Sequence, residues 1–356
     1  MLFKIEPRAE PSRQMSIAAP LIATGLTIVV SSLFFLSLGY NPLVTLYTFF
    51  IEPLATMNGI SEWLLKASPL ILIACGLAIG FRANVWNIGA EGQLIMGAIA
   101  ATGVGLFAPW QDSPLLLPSM VIAGMLAGMA WAAVPAFLKD RMNTNEILVT
   151  LMLTYVATLI LSYLVHGPWR DPDGYNFPQT ALLPYNGMFE VFDYSYRLNT
   201  SIFFTVVVVA ITWLFTERSF LGYKMSVGGV APAAARFAGF NASASIWIGL
   251  LASGAAAGLA GMMEAAGPLG QLSPQISPGY GFAAIIVAFV GRLNALGIVL
   301  GGLLLSLLYL GGETVQMSLG LPSSIALIFQ GMLLFFLLAS NFLINFRIRK
   351  LAMRTA

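Results

Sequence analysis

Glu91, Glu146 and Glu264 are the acidic residues nearest to strongly apolar runs. On insertion scales a carboxylate at the bilayer centre costs roughly 3 kcal/mol, so acids in such places are suspected of relaying protons or gripping a polar solute. All three lie near the ends of their runs, where capping a helix or meeting the interface is the cheaper explanation. The polar stretch Phe81–Gln93 (FRANVWNIGAEGQ) offers a second chemistry. Its amides at Asn84, Asn87 and Gln93 can donate and accept hydrogen bonds, and Trp86 can stack on a planar ring. Together with Glu91, and with Asn145, Glu146, Arg292 and Asn294, they make a candidate pathway for a small polar solute.

Catalytic chemistry finds less support. Cys75 is the only cysteine and sits in an apolar run, which excludes a disulfide framework and a thiolate metal site. The only histidine, His166, stands beside Gly167-Pro168 and reads as a solvated loop residue. No His, Cys and carboxylate set has metal spacing, and no nucleophile has a base in a recognisable motif. There is no G-x-x-x-x-G-K-[ST] run, so the chain hydrolyses no nucleotide through a P-loop. The expectation is a chain that is not an enzyme and holds neither metal nor cofactor.

Positioning such groups takes helices in a membrane. Hydrophobic residues make up 58% of the 356, only 9% are charged, and the mean hydropathy is +0.85. At about 20 apolar residues per spanning helix there is room for roughly ten. The expected spans are Ile17–Leu38, Trp63–Phe81, Ile88–Ala108, Leu115–Leu138, Glu146–Val165, Ser201–Phe215, Ser243–Met263, Phe282–Gly291, Leu296–Leu310 and Ser323–Phe346. Residues 1–16 and 347–356 read as tails flanking one membrane domain, 17–346. The first run is too long for a signal-peptide core and reads as a retained anchor.

Charge orients the set. With the N-terminus inside, only Lys66, Arg170 and Arg197 among the basic residues fall outside, so ten spans place both termini in the cytoplasm. The longest external loop, 167–199, carries Asp171, Asp173, Glu190 and Asp193 with Trp169, Tyr175, Tyr185, Tyr194 and Tyr196. It reads as an ordered cap, a docking surface or an interfacial aromatic belt. The net charge of +2 carries no sign of nucleic-acid binding, because the basic residues are scattered by loop.

Two regions break the helical pattern. Phe282–Gly291 is too short to span alone and follows Gly267-Pro268, Pro274, Pro278 and Gly279, where no unbroken helix can form. In Phe81–Gln93, Asn87 is expected to cap a helix starting at Ile88, with Glu91 in its first turn. Arg82-Ala-Asn84 and Arg292-Leu-Asn294 each end one apolar run and open another, which suggests an internal repeat, or else two similar turns. A polar island on the cytoplasmic side, Glu217–Asn241, contains Pro232–Ala238, expected to form a short helix stopped by Gly239.

These residues resemble a known family. Gly222, Gly229, Pro232, Ala234, Ala235, Arg236, Ala238 and Gly239 are similar to the coupling loop of ABC importer permeases serving branched-chain amino acids, simple sugars and nucleosides. Ser226 and Ala231 depart from that pattern, where Arg and Asn are common, and Lys224 is the nearest replacement charge. Asn87-Ile-Gly-Ala-Glu91-Gly-Gln93, Asn145-Glu146-Ile147 with Thr150-Leu-Met-Leu153, and Gly279-Tyr-Gly-Phe282 with Gly291-Arg-Leu-Asn294 resemble blocks of the nucleoside-type branch. The four blocks stand in the family's order, from about Pro69 to Gln330.

The resemblance implies an all-α, type II ABC importer-like permease, multi-pass in a bacterial cytoplasmic (inner) membrane. It implies a second homologous permease or a homodimer, two cytoplasmic ABC ATPases that use ATP and Mg²⁺, and an extracytoplasmic binding protein or lipoprotein. The coupling loop, 217–242, would meet the ATPases through Gly222, Lys224, Gly229, Pro232, Ala234, Ala235, Arg236 and Gly239. The implied cargo is a nucleoside. Simple sugars are the alternative within the class, and a proton-coupled secondary carrier the alternative outside it.

Overall fold

In hydrocarbon every backbone N–H and C=O must find a partner within the protein, and the apolar runs of this chain do so as α-helices. The computed structural model describes residues 3–7, 13–322, 324, 327–329, 331–332, 335–336, 339 and 346–350. The helices are α1 (Arg13–Ser37), α2 (Pro42–Phe50), α3 (Met57–Arg82), α4 (Ala90–Phe107), α5 (Leu116–Met142) and α6 (Glu146–His166). They continue with α7 (Ile202–Arg218), α8 (Phe220–Val230), α9 (Pro232–Phe237), α10 (Ala242–Glu264), α11 (Tyr280–Val290) and α12 (Ala295–Leu319). The only sheet among the described residues is an antiparallel pair, β1 (Phe3–Pro7) and β2 (Phe346–Lys350), in which Ile5 lies opposite Ile348.

Helices follow the expected runs closely, but ten spans are not reached among the described residues. Six helices are long and apolar enough to cross a membrane, and a seventh span results if α7 and α8 count as one. α11 has 11 residues and is about 16 Å long, so it crosses nothing alone. Most of the expected last span, Ser323–Phe346, lies outside the described residues, as do 8–12 and 351–356 of the tails. Two helices were not expected. Asn41 caps α2 by accepting the Leu43 N–H, with Pro42 at its first position. α8 runs through the polar island at 69° to α7.

The chain forms two compact units. In the first, Met1–Thr56 with Leu307–Ala356, Phe49 stacks on Phe329 with centroids 4.7 Å apart, and Gly311 lets α12 approach the Phe49 carbonyl. In the second, Met57–Ser306, α10 lies among α3, α4 and α5. Glycine makes that possible: a Cβ at Gly258 would overlap the Gly124 carbonyl of α5, and one at Gly261 the Leu94 carbonyl of α4. Such backbone-to-backbone contact is how helices associate without a hydrophobic drive in lipid.

Gly258→Val therefore inserts atoms where backbone already stands. Overpacking of about 1–3 kcal/mol, and a Tm lower by roughly 5 °C in detergent, is expected, whereas Gly25→Val, with open space around it, leaves Tm unchanged. Equal Tm values for both variants, read by tryptophan fluorescence on heating, would contradict this packing.

Candidate functional site

The first interruption, 83–89, begins where α3 stops. Asn84 adopts φ +57°, its N–H donates to Phe81 O at 3.1 Å, and Val85 N–H donates to Gly80 O at 3.0 Å. Those two bonds close a Schellman turn. Beyond it the extended backbone needs outside partners. Trp86 N–H donates to Glu146 Oε1 at 3.3 Å, and Ile88 N–H to Thr150 Oγ1 at 3.2 Å. Glu146 also pairs with Lys139, and Asn145 caps α6 by accepting the Ile147 and Leu148 N–H groups. The N-E-I-x-x-T block thus holds the interrupted strand of backbone in place.

Asn87 differs from its expected role. α4 starts at Ala90 rather than Ile88, and Asn87 Oδ1 accepts the Gly89 N–H at 3.0 Å, a turn ahead of the helix rather than an N-cap. Its Nδ2 donates to Gln93 Oε1 at 2.8 Å and to Ser253 Oγ of α10 at 2.6 Å, while Gln93 Nε2 returns a bond of 3.3 Å. Asn87 is only 2% exposed, so these bonds meet the demand of a buried amide. Asn84 accepts from Trp86 Nε1 at 2.9 Å. Trp86 stacks on Phe289 at 5.5 Å, with Phe81 beside both.

The second interruption, 270–279, follows a π-helical turn, Ala265–Leu269, at the end of α10. Gly279 has φ +94°, and Ser277 Oγ accepts the N–H groups of Gly279 and Tyr280. The next donor, Gly281 N–H, goes to Glu91 Oε2 at 2.6 Å. A Cβ at Gly281 would overlap the Glu91 backbone, so the first turns of α4 and α11 touch. The 167–199 loop supplies further partners: Phe189 N–H donates to Ala266 O, Leu183 N–H to Gly270 O and Thr180 N–H to Leu272 O.

Arg292 and Asn294 do not repeat Arg82 and Asn84 in register. Arg82 is the last residue of α3 and Asn84 the left-handed one, whereas Arg292 is itself left-handed, at φ +53°, and Asn294 caps α12 through Leu296 N–H. They are two similar turns with a shifted motif. The turns do meet, because Arg82 Nε donates to Leu293 O at 3.0 Å. Its other nitrogens reach Thr216 O at 3.2 Å and Glu217 Oε1 at 2.7 Å, at the end of α7.

From there the polar island folds as a helical hairpin. Ser219 closes α7 by donating to Phe215 O and opens α8 by accepting the Gly222 N–H, and Gly222 leaves no side chain to strike Phe215 O. Gly229 lies on the Arg82–Ala83 backbone. Lys224 points inward over the rings of Phe220, 4.5 Å away, and Phe240, 5.5 Å away. α9 is anchored by buried Ala235 and ends in a Schellman turn, with Gly239 at φ +75° and Phe240 N–H on Ala235 O. Pro232, Ala234 and Arg236 are exposed, and Phe237 is 97% exposed.

At the other end of the bundle lies a cavity of about 200 Å³. Glu62 and Lys66 line it from one face of α3, with Arg197 from the cap, Glu264 from α10, Gln275 and Tyr280. The sequence reading set Glu264 aside as a helix-end acid and missed the rest as a group. The available signal was that Lys66 and Arg197 are two of the few basic residues expected outside. Among the described residues no group of His, Cys, Asp or Glu gathers as metal ligands.

A family model described as the permease component of branched-chain amino acid transport systems matches residues 59–338. The chain is 32% identical to the glucose ABC transporter permease protein of Haloferax volcanii, across 97% of this chain and 93% of that one. It is 30% identical to the guanosine ABC transporter permease protein of Bacillus subtilis, across 97% and 99%. It is 27% identical to the nucleoside ABC transporter permease protein of Lactococcus lactis subsp. cremoris, across 95% of each. No solved structure matches it. With most of its length matched to one family and relatives aligned nearly end to end, the chain belongs to the permease-component family of branched-chain amino acid transport systems and is a multi-pass ABC transporter permease.

Proposed function

We propose that this permease forms the solute pathway of an ATP-driven importer in the cytoplasmic membrane, with nucleosides as its cargo. Its partners are two ABC ATPases on the cytoplasmic side, a second permease of the family or a second copy, and an extracytoplasmic binding protein. ATP and Mg²⁺ belong to the ATPases. The observation that carries the reading is the α8–α9 hairpin. It presents a short, firmly stopped helix with exposed Arg236 and Phe237, and it rests on the Arg82 turn through Gly229. A surface aromatic of this kind suits a groove on a partner. The relatives named for guanosine and nucleosides favour nucleoside cargo, and the relative named for glucose favours a simple sugar as the second reading.

Asn87 and Gln93 satisfy one another and Ser253, so in this proposal they brace the pathway wall rather than grip solute. The cytoplasmic gate is the ring cluster of Phe81, Trp86 and Phe289, next to the Arg82 turn. Motion of the ATPases reaches it through α9, α8 and the Arg82–Glu217 pair.

Phe237→Asp is expected to lower ATP-driven uptake by the complete transporter in proteoliposomes about 30-fold, as loss of an interface anchor does, with normal membrane insertion. Wild-type uptake in that variant would remove the coupling role of α9. Glu217 is more than a third exposed, so its pair with Arg82 adds no more than about 1 kcal/mol and Glu217→Lys should slow uptake roughly fivefold. Arg82→Glu also loses the bonds to Leu293 O and Thr216 O, so the double variant should be faster than Arg82→Glu alone but not faster than Glu217→Lys. A double variant slower than either single one would mean that the two side chains act independently.

A further inference from the structure

We infer that the cavity between α3, the external cap and the broken end of α10 is a recognition site for vicinal hydroxyls, the chemistry shared by a sugar ring and the ribose of a nucleoside. This inference rests on the importer reading and deepens it. Glu62, Lys66, Arg197 and Glu264 gather around one cavity at the end of the bundle, a concentration of ionisable groups in a chain that is only 9% charged. Glu264 is 8% exposed, yet its carboxyl lines the open volume.

The wall is built rather than accidental. Glu62 and Lys66 stand one helical turn apart and present one face of α3. Arg197 Nη2 donates to Pro268 O at 3.0 Å, closing a carbonyl that the broken helix leaves open, and Arg197 Nη1 reaches Glu62 at 3.5 Å. Tyr280, the first residue of α11, forms the floor. The cavity is thus fixed to both ends of the interrupted segment.

Charge and size choose the ligand. Glu62 is already paired with Arg197, so the space offers hydrogen-bond donors and acceptors rather than a net charge. A neutral diol suits them: its hydroxyls donate to carboxylates and accept from Lys and Arg at once. At about 200 Å³ the cavity is below the roughly 300–1,000 Å³ of sites for drug-sized ligands, so it admits one hydroxylated ring rather than a whole nucleoside. Aromatic stacking, which a base would require, is offered by Tyr280 alone. The base of a nucleoside would therefore trail outside the cavity.

The test uses the assembled transporter in proteoliposomes, supplied with its binding protein at saturation. Probes are a ribonucleoside, its 2′,3′-dideoxy analogue and a hexose. The binding protein is identical in every arm, so its own preference cancels when each variant is divided by wild type. Glu264→Leu is expected to cut ribonucleoside or hexose uptake about tenfold and dideoxynucleoside uptake less than twofold, the loss of one buried hydrogen-bonding group. Gln275→Leu, at the exposed mouth, should give the same pattern at roughly threefold and does not depend on a buried group folding correctly. Equal losses on all probes, or no loss on any, would overturn the site. Which of hexose and ribonucleoside the wild type carries identifies the source of the diol. Failure of wild type to move either one with ATP sinks the importer reading instead.

Discussion

The Glu91 carboxylate, in the first turn of α4, accepts the Gly281 N–H in the first turn of α11 at 2.6 Å. Each helix N-terminus leaves unpaired N–H donors that need an acceptor. The Glu91 side chain supplies one across the junction, and Gly281 lacks the Cβ that would hold the helices apart. From this junction the rest is determined outward. α4 can begin only after a turn, whose N–H groups occupy Glu146, Thr150 and Asn87. α11 can begin only after a break, whose carbonyls occupy the 167–199 loop.

Much of this was legible in the sequence, for reasons that differ by residue. The long apolar runs are helices because lipid leaves no other choice, so α3 to α7, α10 and α12 lie where hydropathy puts them. Pro232 and Gly239 frame α9 through purely local rules, a fixed φ at the start and a left-handed residue at the end. α8 was hidden because Gly222, Gly228 and Gly229 lower helix propensity, so the segment reads as a loop. Two of those glycines are present for close approach, to Phe215 O and to the Arg82 turn, which a single sequence does not reveal. Asn87 likewise carries the same amide whether it caps a helix or builds a turn. The choice is made by Ser253, 166 residues away.

The charged cavity was hidden for a related reason. Its walls come from α3, the cap, the end of α10 and the start of α11, and no two of these segments share a motif. The sequence marks only the anomaly, a few basic residues on the side where positive charge is scarce. Lys224 is a second case. Its ammonium lies over two aromatic rings of its own hairpin, Phe220 of α8 and Phe240 just after α9, a contact that the sequence does not announce.

The two ends of the molecule are connected by direct contact. α9 is anchored to α8, α8 lies through Gly229 on the Arg82–Ala83 backbone, and Arg82 grips both the end of α7 and the 291–294 turn that follows α11. The 83–89 turn is pegged to α10 by Asn87 and Ser253, and α4, which follows it, to α11 by Glu91 and Gly281. Tyr280, next to Gly281, is the floor of the outer cavity. Hydrogen bonds fix the two interruptions to each other, while α10 meets α4 and α5 across glycine, where no side-chain ridges interlock. The α4 and α11 starts are joined by a directional hydrogen bond, whereas α5 and α10 meet through close backbone contact between glycines. The contacts from α9 through α8 and the Arg82 turn to the turn after α11 form one continuous path through the second unit.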